Sequence, residues 1–416
     1  VVVTGIGPIL PGCRDSGTFW DHLRNGHSQL ELELDPNDPT ASCAVGRVGD
    51  LDPQRDLEDI PERFTQLYHR ELQLYLASVF SARREADIDL STLDRERVGL
   101  YDGAARHMFA FWYERLSERG DNGPAGYTRR DLMTGLPGQT VGIAASLLQI
   151  RGPALCFSGT CSAGAMAIGQ AFRDIRAGDI DVGLATGHES CLVPPVFGMY
   201  HDAHLISHSD DAKRAVRAFV GHSGNAFAEG AVTLVLESLE HAESRGAEIL
   251  AELCGYKYGN NGYHPTSVDV SGVRPAEIIE SLLVATETAR DEVDFVVGHG
   301  NGVQLSDVSE QNYMRLVFGQ RAREIPLLST KPIFGHTLGA SSAVNAAASV
   351  FNLHHGFVFP TINIDESRQK RAVFHQANHG AYRDCRVGLS MAYGMGGHNT
   401  VLLFRRFERQ SDPDLL

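Results

Sequence analysis

The stretch GPALCFSGTCSAGAMAIGQAFRDIRAG, residues 152–178, changes its structural period within a few residues. Residues 154–158 read as a strand. From Ser162 onward Ala165, Ile168, Phe172 and Ile175 recur at spacings of three and four, the period of a helix with one packed face. Gly178 stands where such a helix ends. A strand passing straight into a helix through small residues is a βα unit. Strand-like and helix-like runs alternate along the rest of the chain, which is α/β patterning.

A weak internal echo organises the chain. Residues 1–4 are β-branched and lead into a glycine turn, and ILAELCGYKYGNNG from residue 249 does the same. Each half then carries helices and strands in similar order. The expected division is a first half over 1–250 and a second over 251–416, with the polar helix ESLEHAESRGAE connecting them. Asp15 or Ser16 is expected to cap a helix over 15–26. VDFVVGHGN reads as a buried strand entering a turn, residues 192–226 as a long loop, and 105–135 as an insertion or interface. The last residues, RQSDPDLL, read as a frayed tail. TGIGPILPG faintly suggests a dinucleotide fingerprint, but its third glycine is misplaced and Pro8 removes a backbone donor, so a structural turn is expected there.

Composition excludes several classes of function. The formal net charge of -15 argues against nucleic acid as a partner, because phosphate binding needs a basic surface. It leaves room for a local basic patch facing an acidic partner protein. No apolar run is long enough to span a membrane, and VVVTGIG lacks the basic start of a signal peptide. Seven cysteines, widely spaced and without a CxxC pair, argue against a disulfide framework or a zinc ribbon. A reducing cytoplasm is expected, with one thiol free to react.

Cys161 is the candidate nucleophile. It stands at or just before the first turn of the predicted helix, where unpaired N–H groups and the helix dipole favour an anion. On that ground the thiol is expected to ionise more readily than a free one. Cys156, Cys191 and Cys254 fit the ordinary fate of a buried, inert thiol. His299, in VVGHGNG, and His336, in STKPIFGHTLGASSA, each lie in a glycine turn. Either alone reads as structural; together with a nucleophile they resemble a site. They lack the spacing of a zinc motif, and no metal is expected. His188, His222 and His398 have no partner that the sequence names.

At these residues the chain resembles a β-ketoacyl synthase, the ketosynthase of fatty-acid and polyketide assembly. VVVTGIGPILPG, the Cys161 segment, RAFVGHSGNAFAEGAVTLVLE, GHGNG, STKPIFGHTLGA and YGMGGHN follow in the family's order. The resemblance implies a thiolase-like five-layer αβαβα fold, a homodimer, and acyltransferase activity with an acyl carrier protein as partner. It also implies that Cys161 takes an acyl chain from a carrier-protein thioester. His299 and His336 would stabilise the enolate formed when a malonyl thioester loses carbon dioxide, with Lys331 and Glu310 holding the network around His336. Backbone N–H groups at Cys161 and the Met395 loop would bind the thioester oxyanion. No resident cofactor is implied; phosphopantetheine arrives on the carrier.

The chain departs from the family pattern at defined places. Asn301 and Val303 stand where the family's HGTGT motif has threonines that bind the pantetheine arm. Asn345 replaces a glutamate whose charge balances Lys331, and Tyr393, Gly394 and Met395 replace the start of a GFGG gating loop. After the nucleophile, Ser162, Ala163 and Gly164 make a milder change. Asn345 and Val303 motivate a rival reaction, non-decarboxylative cyclisation or transfer of a bound chain. A second rival is a non-catalytic partner subunit, against which the presence of Cys161 argues.

Overall fold

The computed structural model describes residues 1–57, 60–61, 67–118, 128–220, 222–366 and 373–408. The expected C-terminal tail, 409–416, lies outside them, as does the middle of the 105–135 segment. The first half contributes β1 (Val2–Ile9), β2 (Val98–Gly103), β3 (Ala154–Phe157), β4 (Val182–Glu189) and β5 (Gly230–Glu237). The second contributes β6 (Ala251–Asn260), β7 (Phe295–Val297), β8 (Leu327–Leu328), β9 (Val387–Gly394) and β10 (His398–Arg405).

All ten join one mixed sheet in the order β8-β7-β9-β10-β6-β1-β5-β4-β2-β3. From the centre outward both arms run alike. The two inner pairings of each arm are antiparallel and the two outer ones parallel. β1 and β6 meet in a short seam, Val2 opposite Glu252 and Val3 opposite Ala251. The echo between residues 1–9 and the stretch after 249 is thus the first strand of each arm. A short helix, Leu239–Ser244, links β5 to β6.

Two helices, α5 (Ala163–Ala177) and α9 (Ser341–His355), lie between the arms and pack on strands of both. α2 (Arg70–Glu85) and α4 (Gln139–Leu148) cover the outer face of the first arm. α7 (Val273–Ala285) and α8 (Gln304–Phe318) cover the second. The result is the thiolase-like five-layer αβαβα arrangement. α9 is buried on every side from Ser341 to Leu353, which is why its sequence is small and uncharged instead of amphipathic.

Local expectations were met unevenly. α1 (Ser16–Asn25) starts on Asp15, whose carboxylate accepts from Thr18 N at 2.7 Å, and ends at Gly26. The glycine turn expected after residue 4 is absent: β1 continues through Gly5, Gly7 and Pro8, and the tight turn is Leu10–Cys13. The glycines serve packing. A Cβ on Gly7 would lie 2.3 Å from Ser78 O and 2.4 Å from Ala82 N of α2. Within 192–226, read as loop, Pro194–Asp202 is a helix, α6, with proline in its first turn. The 105–135 segment holds α3 (Phe109–Ser117) and the short helix Arg129–Thr134. Among the described residues no helix is long and apolar enough to cross a membrane.

One buried ionic cluster spans the first arm. His188 on β4 lies 2.5 Å from Asp102 on β2 and 3.2 Å from Glu71 on α2, all three buried. Burial opposes the imidazolium, yet the two carboxyls, Asp102 foremost, hold His188 well above its ordinary value. Burial pushes Glu71 up to about 8. Asp102, His107 and His188 bring ligand atoms within 4.8 Å of one another, but those of Asp102 and His188 are spent on each other.

Two outcomes test this packing. Gly7→Ala forces α2 off the sheet and should cost about 1–3 kcal/mol, read as a lower Tm; an unchanged Tm contradicts the close approach. His188→Ala strands two buried carboxyls and should cost about 3–5 kcal/mol by chemical denaturation. A loss under ~1 kcal/mol would show the cluster to be solvated.

Candidate active site

The nucleophile turn is built by a change of element. β3 ends at Phe157, Thr160–Ser162 form a 3-10 turn, and α5 begins at Ala163. Thr160 takes φ of 50°, a left-handed conformation uncommon for a β-branched residue. Its hydroxyl donates to Met395 O at 3.2 Å. Gly394 lets the β9–β10 hairpin reach this turn, since a Cβ there would lie 2.1 Å from Thr160 Oγ1. Cys161 is held between the arms at 7% exposure, its Sγ 3.3 Å from His336 Nε2.

His336 follows the single helical turn Lys331–Phe334 and a glycine at positive φ. Its backbone is pinned on both sides, N–H to Ala226 O at 2.7 Å and O from Ala228 N at 3.0 Å. His299 lies two residues past the end of β7, in the glycine turn, and its ring centroid lies 5.1 Å from that of His336 at 84°. Cys161, His299 and His336 line one cavity of about 130 Å³, together with Asn301, Val303, Tyr393, Gly394 and Met395. The sequence-predicted residues therefore converge, although 175 positions separate the sulfur from its imidazole.

Lys331 and Glu310 act elsewhere than expected. Their side chains hold the turn of His299, while Lys331 also meets the turn of His336, its backbone O accepting from Gly335 N at 2.8 Å and its charge acting on the imidazole. Glu310 accepts from His299 N at 2.7 Å, from Gly300 N at 2.6 Å, and from Tyr313 Oη at 3.3 Å. Lys331 Nζ donates to His299 O. The reason is local: the glycine turn aims its N–H groups inward at α8 and its carbonyl at Lys331. Burial pushes Glu310 up to about 7 and Lys331 down to about 8.

Asn345 is spent on the backbone. Its amide donates to Gly298 O at 2.8 Å and Met391 O at 3.1 Å, and its Oδ1 accepts from Thr330 Oγ1 at 2.8 Å. Asn301 Oδ1 accepts from Val303 N at 3.1 Å, closing the turn before α8. Tyr393 packs its ring 5.9 Å from that of His299. Met395 is 41% exposed at the cavity mouth.

The expectation of a readily ionised thiol is overturned. Burial pushes Cys161 up to about 11; the charges of Lys331 and Arg106 pull the other way without winning. A sulfur removed from water is disfavoured in its charged form. Burial first, then the Lys331 charge, holds both His299 and His336 well below the ordinary histidine value. The resting site is a thiol beside two neutral imidazoles. Attack by the sulfur requires its proton to move, and His336 Nε2 is in place to take it.

Sequence reasoning missed Arg106, Glu189 and Tyr200. Glu189 accepts from Ala105 N at 2.9 Å and Gly339 N at 3.1 Å, fastening the end of β2 to the turn after His336. Tyr200, on α6, lines the cavity beside Cys161. Arg106 and Tyr200 fall in the segments read as insertion and loop, where no periodicity marked them.

Residues 1–242 match the family model described as Beta-ketoacyl synthase, N-terminal domain, and residues 250–365 match Beta-ketoacyl synthase, C-terminal domain. The chain is 30% identical to a polyketide beta-ketoacyl synthase 1 of Streptomyces halstedii, over 99% of both chains. It is 27% identical to 3-oxoacyl-[acyl-carrier-protein] synthase 2 of Staphylococcus aureus, over 98% of both. Among solved structures, a type II polyketide ketosynthase bound to a hexaketide and in complex with its acyl-carrier protein superposes with a TM-score of 0.88. That match has 27% identity and covers 98% of this chain and 99% of the other.

The raised thiol gives a pH signature. The thiolate is the alkylating species, so its fraction rises with pH until the folded value of about 11 is reached. Iodoacetamide labelling of Cys161, followed by peptide mass, should climb about tenfold per pH unit between 7 and 9. A plateau below pH 8 would mean the sulfur is ionised at rest.

Proposed function

The chain belongs to the beta-ketoacyl synthase family, and on that premise we propose that it loads an acyl chain from a carrier-protein thioester onto Cys161 and extends it by decarboxylative Claisen condensation. The observation that carries this reading is the 3.3 Å contact between Cys161 Sγ and His336 Nε2, with the neutral His299 ring beside it. In loading, the sulfur attacks the thioester carbonyl, its proton passes to His336 Nε2, the new C–S bond forms, and the carrier thiolate leaves with a proton. The backbone N–H groups of Cys161 and Met395 are the donors for the transient oxyanion. In condensation, a malonyl thioester loses carbon dioxide. The released electron pair goes to an enolate, whose oxygen accepts hydrogen bonds from His299 and His336. The enolate carbon attacks the acyl-Cys161 carbonyl, the new C–C bond forms as the C–S bond breaks, the enolate oxygen becomes the thioester carbonyl of the product, and the departing Cys161 sulfur takes a proton from water to return the thiol. Neutral imidazole donors in a dry site are suited to this step without a metal.

Lys331 and Glu310 orient His299 through its backbone. Asn345 gives no support to a changed reaction: its polar atoms are used on backbone and Thr330, and Lys331 has the carboxyl of Glu310 as its nearest counter-charge. Asn301 and Val303 line the cavity wall where the pantetheine arm would enter, and Leu305 and Met395 lie exposed at its opening.

The partner in this reading is an acyl carrier protein, delivering phosphopantetheine without any resident cofactor. Two copies of the chain would pair along the outer strand β3, where Leu155 is 40% exposed. Seven free cysteines accord with a reducing cytoplasm.

Intact-protein mass with an acyl carrier thioester, and carbon dioxide release with a malonyl carrier thioester, test the scheme. Cys161→Ala should form no adduct. His299→Ala should lose condensation by about 10²–10³-fold while losing far less loading. His336→Ala should slow both half-reactions, since it faces the sulfur. Chain growth by Cys161→Ala, or loading without carbon dioxide release by the unaltered protein, would refute the condensation.

A further inference from the structure

Arg106 and Tyr200 lie outside the roles assigned so far. Arg106 follows the end of β2, beside the Glu189-bound N–H of Ala105. Among the described residues its side chain makes one hydrogen bond, from Nη2 to Tyr200 Oη at 3.1 Å, with its Cζ 5.3 Å from that ring's centroid. The guanidinium has five N–H groups and no acceptor, so most of its capacity is unspent. The Tyr200 hydroxyl donates to Met395 Sδ at 3.7 Å, and a thioether is a weak acceptor. Tyr200 lines the same cavity as Cys161, His299 and His336.

The surroundings are apolar. Cys161 and Tyr200 belong to a buried cluster with Val193, Phe197 and Phe227, and Leu205, Val303 and Leu305 line the cavity beside them. The charge of Arg106 is felt at both Cys161 and His336. A hydrocarbon chain would leave the Tyr200 hydroxyl on the weak Met395 acceptor, and the half-buried Arg106 guanidinium beside it with nothing to bind in the cavity. A chain bearing oxygen would satisfy both.

We propose that Arg106 and Tyr200 form an oxygen-binding subsite beside the nucleophile, selecting acyl chains that carry a carbonyl or carboxylate oxygen beyond the thioester over saturated chains. This rests on the acylation of Cys161 proposed above. The chain oxygen accepts from the guanidinium and from the tyrosine hydroxyl, which exchanges the Met395 sulfur for a better partner. No bond is made or broken in this step.

The experiment uses the full chain and three N-acetylcysteamine thioesters: hexanoyl, 3-oxohexanoyl and 5-carboxypentanoyl. Adduct formation on Cys161 is followed by intact mass, and the ratio of rates is the readout. At least one oxygenated chain should load about tenfold faster than hexanoyl. Preference for the 3-oxo chain assigns a carbonyl near the sulfur, and preference for the carboxy chain assigns an anion farther along. Arg106→Met and, more gently, Tyr200→Phe should each shrink that ratio, which separates recognition from the intrinsic reactivity of the thioesters. Equal rates for all three chains, or a ratio unchanged in both variants, overturns the subsite and leaves the acylation standing. No adduct from any thioester overturns the acylation, and the subsite falls with it.

Discussion

The contact between Cys161 and His336 crosses the molecule's internal seam. The sulfur comes from the first arm, at the start of α5; the imidazole comes from the second, just before α9. Neither arm holds a site alone. Their meeting depends on the two central helices starting side by side, and a hydrogen bond from Ala165 N to Ser342 Oγ at 2.8 Å ties those starts together. The small side chains of both helices let two sheets close over them. Chemistry placed at such a seam is shielded from water on both sides, which strengthens every electrostatic interaction within it.

That shielding has a consequence for charge. A sulfur removed from water resists ionisation, and an imidazole removed from water resists protonation. Both effects favour the uncharged pair at rest. The cations of the site, Lys331 and Arg106, bias it towards negative charge that develops during reaction. Glu310 and Glu189 are spent on backbone N–H groups, where they fix turns. Carboxylates are thus kept off the reacting atoms, and the site is rich in donors and poor in acceptors. An enolate or an oxyanion is what such a place stabilises.

Legibility in the sequence followed the range of the interaction. The Cys161 turn was readable because strand, turn and helix are consecutive, as was the capping of α1 by Asp15. The glycines of β1 were misread as a turn, because their purpose is the approach of α2, some seventy residues away. Lys331 and Glu310 were recognised as participants, but their side-chain hold on the His299 turn was not; the direction of a glycine turn's N–H groups is not written in its composition. Arg106 and Tyr200 gave no signal, lying in stretches without a period.

By itself the sequence determined the alternation of strands and helices, the two related arms, and the candidate nucleophile with its two candidate histidines. These follow from local spacing and from residue chemistry that does not depend on surroundings. Only the tertiary structure decided how deeply that thiol is buried, which histidine lies against it and which residues line the cavity around it. Each of those depends on desolvation and on partners brought from distant segments, and burial is a property of the assembled fold.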